Sequence, residues 1–258
     1  MSQLTTNQPL GTPTWIDLDV TDMEKAQEFY GAVFGWRFSA PGPGGYVFAL
    51  LRGSRVAGLR PVPAPASPEP AHWRVHFATD DCDATARRIT EAGGTITEGP
   101  LDKGDQGRAA FAVDPGGAPF GLWQGGVLLG CELVNEPGSL LRNDLTTPDP
   151  APVRDFYTKV FDFTLDGNED MADADFTFLR RPDGHEIGGI LGVPGATGAA
   201  WGTLFEVADT DAAVRGARAA GGTAKDPEDM IYGRTAEITD PFGALFVAGA
   251  RPSAAPVS

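Results

Sequence analysis

The chain has few of the residues on which several classes of protein depend. Of its 258 residues, two are cysteines, Cys82 and Cys131, and three are histidines. Two cysteines are too few for a disulfide framework, which favours a cytoplasmic location. Three histidines leave little material for a histidine-rich metal site. No apolar run approaches the roughly 20 residues of a membrane-spanning helix, and the first residues lack the basic-then-apolar order of a secretory signal.

Basic residues are also scarce. The chain has 20 Lys and Arg against 35 Asp and Glu, a net charge of −15. A field of this sign repels nucleic-acid phosphates and anionic lipid, so we expect no nucleic-acid partner and no membrane partner. Hydrophobic residues make up 41% of the chain and aromatic residues 9%, which is ordinary for a globular protein. The length suits one large domain or two domains of about 125 residues.

What the chain does contain is an internal repeat. Three blocks of the first half recur in the second at offsets of 126 to 128 residues: 15–36 in 142–163, 73–95 in 201–223, and 107–120 in 233–246. Three blocks in one order at nearly one offset indicate a tandem duplication, whose joint lies near residues 125–138.

Each half divides again into two modules. Asp22 and Asp81 are 59 residues apart, Asp149 and Asp209 are 60 apart, and each lies between an alternating strand pattern and a helical pattern. All four aspartates are predicted helix N-caps. After Asp22 and Asp149, apolar residues follow with the i, i+3, i+4, i+7 spacing of an amphipathic helix. The predicted unit is therefore one strand, one helix and about three strands, repeated four times.

The ordered motifs carry a family resemblance. In the first module, a strand and an Asp precede a helix that ends in Phe-Tyr, and Phe-Gly-Trp follows at 34–36. The helix of the second module ends in Ala-Gly-Gly. Asp-Pro-x-Gly closes each half, at 114–117 and at 240–243. This order resembles the vicinal oxygen chelate superfamily, which includes glyoxalase I, bleomycin-resistance proteins and extradiol dioxygenases. The resemblance implies an α+β fold of four βαβββ modules, paired into two glyoxalase-like domains whose mixed sheets curl into cups. The chemistry varies widely across this fold.

The repeat and the resemblance together predict the domain boundaries. The first glyoxalase-like domain spans 10–126, with modules at 13–62 and 72–125, and the second spans 138–251, with modules at 139–193 and 200–250.

Strand alternation predicts which side chains face the cups. In the first strand, Ile16 and Leu18 belong to the apolar phase beneath the helix, so Trp15 and Asp17 face the other way. The same alternation directs a further set of polar side chains into the cups, namely Arg74, His76, Arg142, Asp144 and Glu206.

The resemblance also implies where metal ligands would lie, near the start of each module's first strand and on the strand after Asp-Pro-x-Gly. Those positions hold Trp15, Arg74, Gly121, Arg142, Gly202 and Val247. None of these side chains can ligate a divalent transition metal. We therefore predict no metal site and no cofactor. One alternative stays open, in which Asp17 with His76, or Asp144 with Glu206, binds a metal deeper in a cup.

Three functions remain open from the sequence. The favoured one is a metal-independent monomer or homodimer that binds an aromatic or polycyclic small molecule, in natural-product metabolism or resistance. Its candidate ligand-binding residues are Trp15, Arg74, Trp123, Arg142, Glu206 and Tyr232. The second is a cofactor-free isomerase, lyase or hydroxylase-accessory enzyme in which His76, oriented by Asp17, or Asp144 transfers protons. The third is a metal-dependent glyoxalase or dioxygenase.

An asymmetry between the halves favours the first cup. Trp15 and Trp123 have Arg142 and Gly249 at the matching places of the second half, so we predict that these indoles form a ligand wall. Residues 1–130 carry ten basic and 14 acidic residues, a net charge of −4, whereas the remainder carries a net charge of −11. An anionic or neutral aromatic ligand should therefore prefer the first cup.

Overall fold

The structure is a computed structural model that describes residues 6–63, 71–167 and 174–252. No helix among these residues is long and apolar enough to cross a membrane. The first half contains the elements β1 (Pro13–Val20), α1 (Met23–Phe34), β2 (Arg37–Phe38), β3 (Val47–Leu51), β4 (Ser54–Pro61), β5 (Trp73–Ala78), α2 (Cys82–Glu91), β6 (Thr95–Asp102), β7 (Gly107–Val113) and β8 (Pro119–Gly125).

The second half repeats this order with one additional short strand. Its elements are β9 (Leu140–Thr147), α3 (Pro150–Phe161), β10 (Thr164–Gly167), β11 (Phe176–Arg180), β12 (Glu186–Gly192), β13 (Ala200–Glu206), α4 (Thr210–Ala219), β14 (Thr223–Ala224), β15 (Glu228–Met230), β16 (Gly233–Thr239) and β17 (Leu245–Ala250).

The strands form two mixed, open sheets. The first has the order β2-β3-β4-β1-β5-β8-β7-β6, and the second has the order β10-β11-β12-β9-β13-β17-β16-β14, with β15 paired to β16. Within each module the first strand pairs in parallel with the last, as β1 does with β4 and β9 with β12, and the hairpins between them are antiparallel. The α+β fold of repeated βαβββ modules with mixed sheets is thus confirmed.

The chain divides into two compact units, and each unit draws on both halves. Unit 1 comprises the described residues of Met1–Ile16, Arg74–Glu132 and Arg142–Gly202, and contains α2 and α3. Unit 2 comprises the described residues of Asp17–Trp73, Leu133–Leu141 and Thr203–Ser258, and contains α1 and α4. The boundaries of the two sequence domains stay predictions.

The core of unit 1 lies on the helix side of its strands. Val75 and Phe77 of β5 are fully buried there with Phe120 of β8 and with Phe156 and Tyr157 of α3. Because side chains alternate along a strand, Arg74 and His76 lie on the opposite side of β5. We call that opposite side the strand face. In unit 2, aromatic rings with centroids 4.7 to 6.4 Å apart fill the helix side: Phe29, Tyr30, Phe34, Trp36, Trp73, Phe205 and Phe246.

A buried Trp-Tyr-Asp triad forms part of the core of unit 1. The Trp201 indole N–H donates to the Tyr157 hydroxyl at 2.8 Å, and that hydroxyl donates to Oδ2 of Asp114 at 3.1 Å. The other oxygen of Asp114 accepts the backbone N–H groups of Gly116 and Ala118. The Asp-Pro-x-Gly motif therefore forms a turn whose carboxylate secures the helix α3.

Unit 2 contains the equivalent triad. The Tyr30 hydroxyl donates to Oδ2 of Asp240 at 2.8 Å, and the Trp73 ring packs edge-on against Tyr30 with centroids 5.3 Å apart. Oδ1 of Asp240 accepts the N–H groups of Phe242 and Ala244. The Phe-Tyr, Trp and Asp-Pro-x-Gly motifs of the repeat are thus parts of one recurring core contact.

The aspartate N-caps are confirmed at three helices and corrected at the fourth. Asp22, Asp81 and Asp209 each accept the N–H of the third helical residue. Asp149 stands at the cap position of α3 without a side-chain cap hydrogen bond. The residue three positions on is Pro152, which has no N–H to donate.

Candidate ligand-binding faces

In unit 1, a row of three residues crosses the strand face of β5, β8 and β7. Gly121 pairs with His76 on one side and with Phe111 on the other. The imidazole lies against Gly121, where an added Cβ would come within 2.1 Å of Nδ1. His76 is 2% exposed, and its ring meets Phe111 edge-on with centroids 5.7 Å apart. A glycine at 121 is therefore required for the histidine to occupy this position.

Two cations lie over the half-buried ring of Phe111. The guanidinium of Arg74 is 5.0 Å from the ring centroid, and the ammonium of Lys103 is 5.9 Å from it. Both are within the range of a cation–π attraction. This part of an otherwise acidic chain therefore offers an aromatic ring with two cationic side chains over it.

Both candidate indoles of the predicted ligand wall are buried. Trp15 is 2% exposed and Trp123 is 7% exposed. The Trp123 indole N–H donates to the carbonyl oxygen of Leu128 at 2.7 Å, which holds the ring against the segment after β8. Direct ligand contact by either indole stays a prediction, and it would require the ring to be uncovered.

The strand face of β9, β12 and β11, also in unit 1, carries a second aromatic surface. Gly189 pairs with Asp144 on one side and with Phe178 on the other. The Phe176 ring lies against Gly189, where an added Cβ would be 2.2 Å from Cζ. Phe176 and Phe178 are half-buried and nearly perpendicular, with centroids 5.1 Å apart.

Arg142 is the centre of an ion-pair cluster on this face. Its Nε–H donates to both carboxylate oxygens of Asp144 at 2.8 and 2.7 Å, and its Nη1 donates to Glu186. The guanidinium lies 5.4 Å from the Phe178 centroid and 5.8 Å from that of Phe176. Its third nitrogen, Nη2, is buried and has no hydrogen-bond acceptor in the described part of the chain.

Asp144 is held at an unusual pKa. Burial raises the pKa of this carboxyl above its ordinary value, although the Arg142 guanidinium opposes the shift. The loss of hydration thus outweighs the ion pair. The raised pKa makes Asp144 a candidate for the predicted proton transfer.

Unit 2 has a related surface on β1, β4 and β3. Gly58 pairs with Asp17 and with Phe48, and the Tyr46 side chain lies against Gly58. The rings of Tyr46 and Phe48 are 5.4 Å apart, and the Arg55 guanidinium is 5.0 Å from the Phe48 centroid. This aromatic pair corresponds in the repeat to the pair on β11.

The fourth strand face, on β13, β17 and β16 of unit 2, has a different character. Glu206 is buried, and Arg251 donates to both of its carboxylate oxygens, the shortest contact being 2.7 Å. Tyr232 lies outside this pair, on an exposed turn. A cavity of about 260 Å³ is lined by Thr223, Ala224, Lys225, Glu237, Thr239 and Leu245.

The structure brings together only some of the predicted site residues. Arg74 and His76 meet at Phe111, and Arg142 meets Asp144, whereas Glu206 is engaged by Arg251. Sequence reasoning missed the ring and acid partners, which are Tyr46, Phe48, Phe111, Phe176, Phe178 and Glu186. The signal for two pairs was present, because aromatic residues two apart occur at equivalent places in both halves.

The side chains present do not fit a metal ion. The described part of the chain has no group of three His, Cys, Asp or Glu that could hold one. At the position where the resemblance implies a ligand stands the Arg142 guanidinium, which carries positive charge of its own. The neighbouring carboxylates, Asp144 and Glu186, are already engaged by that guanidinium. We derive no chemistry through a metal.

Comparison with known proteins defines the class. The model of the Glyoxalase/Bleomycin resistance protein/Dioxygenase superfamily matches residues 12–122 and again 139–247. The chain therefore belongs to this superfamily, in a form with two repeats.

Relatives share most of the chain's length. CFP32 of Mycobacterium tuberculosis, named as a candidate glyoxylase, is 39% identical over 249 residues, covering 92% of this chain and 93% of the relative. The anthracycline biosynthesis protein DnrV of Streptomyces peucetius is 36% identical over 258 residues, covering 92% of each chain.

Solved structures share the fold at lower identity. The Mn(II)-bound glyoxalase from Novosphingobium aromaticivorans has a TM-score of 0.66 at 16% identity, covering 94% of this chain and 82% of that one. The 2,3-dioxygenase LapB from Pseudomonas sp. KL28 has a TM-score of 0.65 at 18% identity, covering 97% and 96%. At these identities the likeness concerns the fold alone.

Proposed function

We propose that the protein binds a planar aromatic or polycyclic small molecule on the strand faces of unit 1, without a metal ion. It would do so in the cytoplasm, as part of natural-product metabolism or resistance, with no nucleic-acid or membrane partner. One observation carries the proposal: half-buried phenylalanine rings lie on these faces, each with an arginine guanidinium 5.0 to 5.8 Å from the ring centroid.

Such pairs suit a flat ligand for two physical reasons. A guanidinium is planar and weakly hydrated, so it stacks on aromatic surfaces. Stacking of aromatic rings contributes about 0.5–1.5 kcal/mol beyond the burial of area. The rings of Phe111 and Phe178 lie on the side away from the helices, and neither belongs to the core of unit 1.

The named relatives and the charges on the strand faces also support binding of an aromatic ligand. DnrV, which is 36% identical to this chain, is named for anthracycline biosynthesis. The absence of suitable ligand sets among the described residues supports metal independence. The ammonium of Lys103 over the Phe111 ring supports a preference of that face for anionic ligands.

The test is the binding of anthracene-2-sulfonate, an anionic tricyclic probe, followed by tryptophan fluorescence and calorimetry. We expect wild-type protein to bind it and Phe111→Leu to weaken binding roughly three- to tenfold, the range that stacking energies give. Phe178→Leu, on the less positive face, should have a smaller effect.

A matched control is Phe242→Leu. Phe242 also has a cation over its ring, Lys25 at 5.9 Å, but it lies in the Asp-Pro-x-Gly turn of unit 2. Its replacement should leave the affinity unchanged. Absence of binding to wild-type protein, or equal losses in all three variants, would overturn the proposal.

The pKa of Asp144 supports a second candidate function, that of a cofactor-free enzyme that transfers protons. Its raised pKa brings the carboxyl closer to the working pH of a general acid or base. His76 and Asp17 belong to the same candidate function. If turnover of an aromatic substrate is found, Asp144→Asn should remove the acidic limb of its pH–rate profile, whereas Asp175→Asn, an exposed aspartate, should keep it.

A further inference from the structure

Nη2 of Arg142 is the starting point, because the rest of that side chain is fully engaged. Nε donates to Asp144 and Nη1 donates to Glu186, so two carboxylates fix the guanidinium plane. Nη2 is buried and has no acceptor among the residues that the structure describes. A charged donor without an acceptor is unfavourable away from water. The cluster therefore holds in place a donor that no described residue satisfies, and a ligand oxygen reaches it when the groups that cover this nitrogen move aside.

The groups around Arg142 define the shape of a ligand that could supply this oxygen. The guanidinium lies over Phe176 and Phe178, and Arg180 lies over Phe178 at 5.6 Å. This is a stack of flat groups with half-buried rings. A flat aromatic molecule can extend such a stack, and an oxygen at the edge of its ring system would lie in the plane of its own rings.

The charges of the cluster also restrict the charge of the group that carries this oxygen. Arg142 and Arg180 are offset by Asp144, Glu186 and Asp166, all within ion-pair distance of an arginine. The face thus has no surplus of positive charge for a strongly anionic group. A neutral acceptor fits better than a sulfate or phosphate.

We propose that the strand face of β9, β11 and β12 selects planar aromatic ligands that carry a neutral ring oxygen, such as a quinone-type carbonyl, and that this oxygen accepts a hydrogen bond from Nη2 of Arg142. The inference rests on the proposed function and adds to it the chemical class of the ligand. It also gives Arg142 a specific role, that of an anchor that discriminates between ligands of the same shape.

Two neutral probes test it: 2-(hydroxymethyl)anthraquinone and 2-(hydroxymethyl)anthracene, which differ in the two ring carbonyls. We expect wild-type protein to bind the anthraquinone about tenfold more tightly, a ratio equivalent to about 1.4 kcal/mol. In Arg142→Met, which has no donor, the ratio of the two dissociation constants should fall to about one, while binding of the anthracene probe persists.

A second variant distinguishes loss of the hydrogen-bond donor from misfolding. Arg142→Met removes the arginine partner of Asp144 and leaves Glu186 with Arg180 alone. Arg142→Lys, which keeps the positive charge but lacks the planar fork, is therefore measured in parallel. We expect the ratio to fall in this variant too. Thermal unfolding identifies the variants that fold.

The matched control is Arg154→Met. Arg154 on α3 belongs to unit 1 and is paired with Asp175. It also has a buried nitrogen, Nε, for which the described residues supply no acceptor. Its position on a helix places it away from the strand face, so its replacement should keep the tenfold ratio.

The outcomes separate this inference from the proposed function. Equal affinity of wild-type protein for the two neutral probes, or a ratio that survives both Arg142 variants, overturns the role of Arg142 and leaves aromatic binding intact. A water molecule on Nη2 in a crystal structure of the anthraquinone complex does the same. Failure of wild-type protein to bind these probes and anthracene-2-sulfonate overturns the proposed function and the inference together.

Discussion

The helix sides of the two units are close copies of each other, whereas their strand faces differ. Tyr157 and Asp114 in unit 1 repeat as Tyr30 and Asp240 in unit 2, with hydrogen bonds of 3.1 and 2.8 Å. On the strand faces, the row of His76, Gly121 and Phe111 in the first half corresponds to Leu204, Val247 and Glu237 in the second.

This difference separates two kinds of constraint. A buried carboxylate with three hydrogen bonds cannot change without leaving donors unsatisfied, so each copy keeps the same residues. A strand face on the outer side of the core has no such requirement, and its residues are set by what they contact there. Repetition in the buried core therefore marks what the fold needs, and divergence in the row of His76, Gly121 and Phe111 marks one place to look for ligand binding.

The largest effects are expected from the two tryptophans that have no aromatic counterpart in the second half, Trp123 and Trp15. Trp123→Ala should cost roughly 3–5 kcal/mol of stability, because the indole is buried and its N–H is bonded to Leu128. If the predicted ligand wall exists, affinity for anthracene-2-sulfonate should also fall about tenfold. Trp15→Ala is expected to behave in the same way.

Trp201→Ala is the control for this prediction, since Trp201 belongs to the repeated core. It should lower the unfolding midpoint without changing the affinity of the folded protein for the probe. Unchanged affinity in Trp123→Ala and Trp15→Ala would show that these indoles serve packing alone.

The repeated aspartates should give nearly equal effects in the two units. Asp114→Ala leaves Tyr157 and two backbone N–H groups without an acceptor, and Asp240→Ala does the same around Tyr30. Each should cost roughly 3 kcal/mol, and lower the midpoint of thermal unfolding by about 6–12 °C. The exposed Asp105→Ala should change it little. A large difference between the two buried sites would contradict their equivalence.

The buried tyrosines should make the protein lose stability in alkali. Burial, with the nearby carboxylates of Asp114 and Asp240, raises the pKa of Tyr157 and of Tyr30 well above 10. Since the folded pKa exceeds the unfolded one, this stability is complete below about pH 10 and is lost as the pH rises towards the folded pKa.

Tyr157→Phe and Tyr30→Phe should each flatten the alkaline decline in the free energy of unfolding, measured with urea from pH 8 to 11. Part of the decline should remain in both variants, because burial also raises the pKa of the Cys131 thiol to about 12. A slope identical to that of wild-type protein would show that these phenols do not titrate on unfolding.

The smallest expected effect is that of metal removal. Dialysis against a chelator should leave the unfolding midpoint unchanged, and elemental analysis should find well under one tightly bound transition metal per chain. The reason is the chemistry at the ligand positions, where Arg142 engages Asp144 and Glu186. A stoichiometric metal that survives dialysis would contradict this prediction.

The sequence by itself determined the fold and its repetition. The offset of 126 to 128 residues, the period-two and helical patterns, and the Asp-Pro-x-Gly closures are local, and each has a local physical meaning. The caps at Asp22, Asp81 and Asp209 followed from the same reasoning. The missing cap hydrogen bond at Asp149 could also be predicted from the sequence, because Pro152 lacks the N–H that the Asp149 carboxylate would accept.

Only the tertiary structure decided which modules share a core and which side chains share a face. Tyr157 and Asp114 are 43 residues apart, and Tyr30 and Asp240 are 210 apart. No local pattern reports a contact over such distances. Alternation gave the side of the strand on which Arg142 lies. It did not show that Asp144 and Glu186 would engage two of its nitrogens, or that no described residue would accept from the third. Hydrogen-bond satisfaction depends on strand register and on atoms from several strands, and these are set only when the sheet has formed.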